Sequence, residues 1–207
     1  MRAADSVLHK EILLAAHDRL GGAGVRGWSR ELGFVLAAAV LVELERSGRI
    51  TVGPDTLYAK DATRAADPVS DALLERVLLA PRTHRVHRWL QREGGTVLEL
   101  TTAHLLHEGT LSERHRKRWG LFPVIDHLPS NPTRATQAYE AIRTASTGPA
   151  HSPGPACAAA ALLSAAGLST PLGHTRTTWS ACPAPLPVIA GELALTLAVS
   201  RVPAALG

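Results

Sequence analysis

Ten histidines are the largest pool of potential ligands and bases in this sequence. His84 with His87, and His104 with His107, form HxxH pairs at a spacing that sets two imidazoles on one helix face. Two such helices brought together would offer four nitrogens to a tetrahedral zinc. Arginines flank the first pair and no carboxylate or cysteine is expected to accompany either, so ordinary surface histidines and no metal are the expectation. Cys157 and Cys182 lie in alanine- and proline-rich surroundings without a motif, which reads as two small core residues. There is no glycine-rich phosphate loop, GxSxG elbow or paired-acid motif. The chain is therefore expected not to be an enzyme and to need no cofactor.

The cationic residues are more suggestive. "RHRKRW" is the densest basic patch: Arg114, Arg116, Lys117 and Arg118, followed by Trp119, Leu121 and Phe122. Cations ahead of aromatic and apolar side chains suit an anionic membrane surface, at about 1 kcal/mol per Lys or Arg. The alternative is a solvated strand whose aromatics fold inward. A second candidate is Trp28, at a helix start with Arg26 and Arg30 beside it. Free N–H groups and guanidinium donors would meet an anion there, or Trp28 packs against the first helix and the arginines are solvated. A formal charge of +4 agrees with an anionic partner.

These residues need elements to hold them. The longest apolar run, "LGFVLAAAVLV" from Leu32, is interrupted by Glu43 and Glu45 and stopped by "RSGR". A span needs about 20 apolar residues, so this is a core helix. "LPVIAGELALTLAVSRV" contains Glu192 and is also too short, and the "ILLAA" core of the first 20 residues is too short for a signal sequence. Residues 5–20, 67–79, 81–93, 96–109 and 131–145 read as helices, and "GRITVGPDTLYAKD" and residues 110–128 as hairpins. Segments 32–44, 156–166 and 187–199 are apolar nearly all round and should be the most buried. The expected fold is mainly α: a compact single domain over 1–207, with central apolar helices wrapped by amphipathic ones, plus short β-hairpins.

"EILLAAHDRLGGAGVRGW…LVELERSGRI", then a short hairpin and "DPVSDALLERV", then "LLHEGTLSERHRKRWGLFPVIDHLP", resemble the Golgi phosphoprotein 3 family in that order. The match is best over 7–144 and looser to 202, and "GLFP" is similar to bacterial members. The resemblance implies a helical domain with a protruding hairpin, no catalysis, phosphatidylinositol 4-phosphate binding, and cargo held at a membrane. Carried over residue by residue, the family's headgroup tryptophan falls on Trp28. Its arginines fall on Ala37 and near Gly95 and Leu98.

The function expected is thus a peripheral membrane, phosphoinositide- or anionic-lipid-binding adaptor, cytoplasmic in location. Its expected partners are anionic lipids and cargo proteins, with no specific nucleic acid. One alternative is a protein-interaction scaffold without lipid binding. Another is a winged-helix-like nucleic-acid binder, in which an apolar helix would have to enter a groove that polar and basic side chains normally read.

Overall fold

A computed structural model describes residues 7–53, 56–79, 85–118, 122–147, 154–173 and 182–201. In chain order they form α1 (Leu8–Gly27), α2 (Ser29–Arg46), β1 (Ile50–Val52), β2 (Leu57–Ala59), α3 (Pro68–Leu78) and α4 (Val86–His107). Then follow β3 (Leu111–Arg118), β4 (Phe122–Pro129), α5 (Pro132–Thr147), α6 (Pro155–Ala165) and α7 (Leu186–Arg201). Both sheets are antiparallel pairs, so the class is mainly α with short hairpins, as expected.

Helix α2 is the axis of the core. Every residue from Leu32 to Val42 is buried, and the helix touches α1, α3, α4, α6, α7 and β1. Each large apolar side chain buried there contributes about 1.5–3 kcal/mol, so exposing this face would cost more than a domain's net stability. That excludes α2 as a helix reading a DNA groove. Helix α6 is buried from Cys157 to Ser164, again as expected. Helix α7 departs from expectation. Ile189, Ala190, Leu193 and Leu197 are buried, but Leu195 and Val199 are 45% and 50% exposed. Its main helix neighbours are α2, α4 and α6.

The two helices expected over 81–93 and 96–109 are one, α4, running straight through Gly94 and Gly95. These glycines allow a close helix crossing rather than a break. A Cβ at Gly33 of α2 would lie 2.5 Å from the Gly94 carbonyl oxygen, and one at Gly94 would meet the Phe34 ring. Only backbone-to-backbone contact fits. Helix α1 is likewise longer than expected and bends at Gly21, whose φ of +62° is open to glycine. Beyond the bend, a Cβ at Gly22 would touch Asp126 and the His127 carbonyl of β4 at 3.1 Å, so the root of the β3–β4 hairpin rests against this glycine.

Of the three acids that interrupt the apolar helices, Glu43 and Glu192 each cap another helix. Glu43 accepts from the Leu8 amide at 2.6 Å, at the start of α1; Asp5 and Ser6, which read in the sequence as a cap for this helix, lie outside the described residues. Glu192 accepts from the His87 amide at 3.2 Å, at the start of α4, whose own N-cap residue offers no side chain. Unpaired N–H groups at a helix start favour a carboxylate. Helix α3 begins on its own cap, Asp67, which accepts from Ser70 N with Pro68 in the first turn.

Candidate functional site

Strands β3 and β4 pair from Leu111↔Pro129 to Arg118↔Phe122. Leu111 and Asp126 are buried at the root, whereas every residue from Ser112 to Lys117 is exposed. The arm thus stands off a seated root. Successive side chains on a strand alternate faces, so Lys117 and His115 lie opposite Arg114 and Arg116. Among the described side chains the basic patch is therefore divided, with Arg114 and Arg116 on one face and Lys117 on the other. Trp119 and Leu121 lie outside the described residues, and for Arg118 and Phe122 the structure fixes backbone pairing.

Asp126 organises the root. Its carboxylate pairs with Arg26 of α1 through one oxygen and with Arg116 of β3 through the other. Arg26 also donates to the Ile125 carbonyl at 3.1 Å. The hydrogen bond from Arg26 is the main reason that the Asp126 carboxyl is held below its usual range; burial opposes this, and the charges of both arginines reinforce it. Arg26, Arg116, Ala23, Gly27 and Val124 line a cleft of about 540 Å³ between the end of α1 and the hairpin. Beneath the same root, His17 of α1 is 4% exposed and its Nδ1 has no hydrogen-bond partner. Burial, aided by His127, lowers its pKa to about 4.

Trp28 is the joint between α1 and α2. Its amide donates to Gly24 and its carbonyl accepts from Leu32, while its half-buried ring packs on the core. Arg30 turns away from Arg26, and its guanidinium lies 5.9 Å from the Phe34 ring centre. It lines a separate cleft of about 670 Å³, with Ser29, Phe34, Gln91, Gly95, Leu98, Glu99, Val199 and Ser200. Arg26 and Arg30 therefore do not converge on one anion at the helix start, because Asp126 draws the first toward the hairpin. In the Arg30 cleft, Glu99 offsets the single cation. Gly95 and Leu98 stand on its wall, and Ala37 is wholly buried inside α2.

Two described histidines of these pairs each face a carboxylate. His84 lies outside the described residues; His87 faces Glu192 at 3.4 Å, and His104 faces Glu108 at 3.0 Å. Among the described residues no group of three or more His, Cys, Asp or Glu is placed to hold a metal ion. Instead, sequence reading missed a buried ionic network at the other end of α2. His9 is fully buried between Glu43 at 3.0 Å and Asp67 at 3.5 Å. Lys10 joins Asp67 at 3.2 Å to Glu108 at 2.9 Å. Burial raises the Asp67 carboxyl, but His9, the Ser70 amide and Lys10 outweigh it and hold it low. The network ties α1, α2, α3 and the end of α4 together. Its one available signal was His9 and Lys10 flanked by Leu8 and Ile12 in a core-facing turn.

Among the described residues no helix is long and apolar enough to cross a membrane. The family model for Golgi phosphoprotein 3 (GPP34) matches residues 8–185. A search of curated proteins finds no match.

Proposed function

Because this chain belongs to the Golgi phosphoprotein 3 family over residues 8–185, we propose that it is a peripheral membrane adaptor that attaches to anionic lipid. The observation that carries this reading is the hairpin: a seated root, and an arm exposed from Ser112 to Lys117 that holds three cations and one acid apart from His115. In this reading Arg114 and Lys117 meet headgroups from opposite faces of the arm, and Trp119, Leu121 and Phe122, the apolar residues that follow the cations in sequence, enter the interface. Neither cleft gathers three arginines, so attachment follows surface charge rather than the phosphatidylinositol 4-phosphate headgroup alone. Cargo proteins are the adaptor's other partner, and the exposed Leu195 and Val199 of α7 offer them an apolar contact.

The test is sedimentation with anionic vesicles across a salt series. Cationic attachment is screened over about 8 Å at physiological salt, whereas apolar insertion of about 1–3 kcal/mol per large side chain resists salt. Trp119→Ala with Phe122→Ala should weaken binding most at high salt. Arg114→Glu with Lys117→Glu should weaken it most at low salt. Binding unchanged in both pairs would remove the hairpin from the mechanism and favour the protein-only scaffold.

A further inference from the structure

We infer that Cys157 and Cys182 are a redox-responsive thiol pair, which a hydroperoxide closes into an intramolecular disulfide across the α6–α7 connection. The two residues are 25 positions apart in sequence, and each is 6% exposed. Both belong to the same buried apolar cluster, where the Cys182 thiol is hydrogen-bonded to that of Cys157. Cys157 sits in the first turn of α6, Cys182 lies four residues ahead of α7, and the two helices pack on each other. Pro183 and Pro185 restrict the chain that leads from Cys182 into α7. The inference does not rest on the membrane reading.

Contact between the sulfurs sets this pair apart from two small apolar fillers. A disulfide forms where the backbone already holds both side chains within reach, and the sulfurs then close from hydrogen-bond contact to about 2.05 Å. Burial selects the oxidant. A peptide-sized reagent such as oxidised glutathione is hindered at either sulfur, whereas hydrogen peroxide is little larger than water. Burial, and then Cys157 beside it, push the Cys182 thiol up, so the first attack falls to Cys157. Its sulfur, as the thiolate, attacks one oxygen of the peroxide; the O–O bond breaks, and the departing hydroxide takes up a proton as water. The Cys182 sulfur then attacks the sulfur of the Cys157 sulfenic acid. The S–O bond breaks, and the hydroxyl leaves with the Cys182 proton as a second water. Two thiols and one peroxide thus give one disulfide and two waters, with two electrons passing from sulfur to oxygen. The bond adds a covalent tether to the entry of α7, whose far end lines the Arg30 cleft through Val199 and Ser200.

The full chain, reduced and freed of reductant, is exposed to hydrogen peroxide in buffer and in urea. It is then denatured and alkylated with N-ethylmaleimide for intact-mass and peptide analysis. The folded chain should lose the mass of two hydrogen atoms, take up no maleimide and yield a linked Cys157–Cys182 peptide, and dithiothreitol should restore both thiols. Its melting temperature should rise by about 10 °C, the expectation for closing a loop of this length. Cys182→Ala should stop at the sulfenic acid of Cys157, trapped by dimedone, which a purely structural role for two core thiols does not produce. Should that variant not fold, the wild-type masses decide by themselves. Two maleimide additions after peroxide, links between chains, or added oxygen without a linked peptide overturn the pair. So does a linked peptide that forms as fast in urea as in buffer, because the fold then contributes nothing to it.

Discussion

Acid should loosen this protein through one histidine. His17 is buried under the hairpin root with an unpartnered Nδ1, and its pKa falls from 6.5 to about 4 on folding. The unfolded chain therefore binds a proton below pH 6.5 that the folded chain refuses until about pH 4. Stability from the neutral imidazole is fully present above 6.5 and is lost progressively as the pH falls toward 4. At about 1.4 kcal/mol per pH unit for one proton, the loss is about 2 kcal/mol between pH 7.5 and 5, and about 3 kcal/mol in the limit. The perturbation is His17→Gln, which keeps a polar side chain of similar reach and cannot titrate. Urea unfolding of both proteins at pH 7.5, 6.5, 5.5 and 5 gives two stability curves. The wild-type curve should fall more steeply than the variant's by about 2 kcal/mol over that range. Carboxylates such as Asp67 and Asp126, held low in the fold, lose their contribution as the pH drops below 3.8, outside the window. Parallel curves would refute the argument, because they would mean that a proton reaches His17 in the folded state at no cost.

The glycines of the α2–α4 crossing give a pair of opposite outcomes. Gly33→Ala gains about 1 kcal/mol of helix propensity but drives a Cβ to 2.5 Å from the Gly94 carbonyl; the clash wins, and denaturant unfolding should show a net loss of about 1–3 kcal/mol. Gly95→Ala, with nothing within 4 Å of its Cβ, should stabilise by about 0.5–1 kcal/mol in the same measurement. Asp67→Ala removes the α3 cap and a carboxylate shared by His9 and Lys10, and should cost about 2–3 kcal/mol in thermal or urea unfolding. Val199→Ser, at a half-exposed position on the rim of the Arg30 cleft, should change stability by less than about 0.5 kcal/mol, and a larger loss would mean that Val199 is covered.

Local patterns carried most of the fold in the sequence. The eleven-residue apolar run located α2, and the alternation around "GPD" and "WGLF" located both hairpins. The misses share a physical origin in distance along the chain. Gly94 and Gly95 read as a break because their partner, Gly33, lies in another helix. Glu43 and Glu192 read only as interruptions of an apolar run, although each caps a helix start, and His87 lies 105 residues from Glu192. Arg26 was assigned to the start of α2 with Arg30, yet its partner Asp126 is 100 residues away. The basic patch was legible as charge, but its division between two faces required the register of β3 on β4. At the joint, Trp28 was found, while the lining of the neighbouring cleft by Gln91, Glu99 and Ser200 depends on how α4 and α7 pack.

The way the hairpin is seated also bears on how members of such a fold can diverge. Gly22, Asp126 and Leu111 bind the root to the body, so changes there strain the core. From Ser112 to Lys117 every residue is exposed, and apart from Arg116, which pairs with Asp126, a substitution in that arm draws on almost none of the folding free energy. The arm is a region of mutational freedom attached to an intolerant socket. Charge, length and apolar content can drift there one residue at a time, and a new surface preference can emerge without passing through an unstable intermediate.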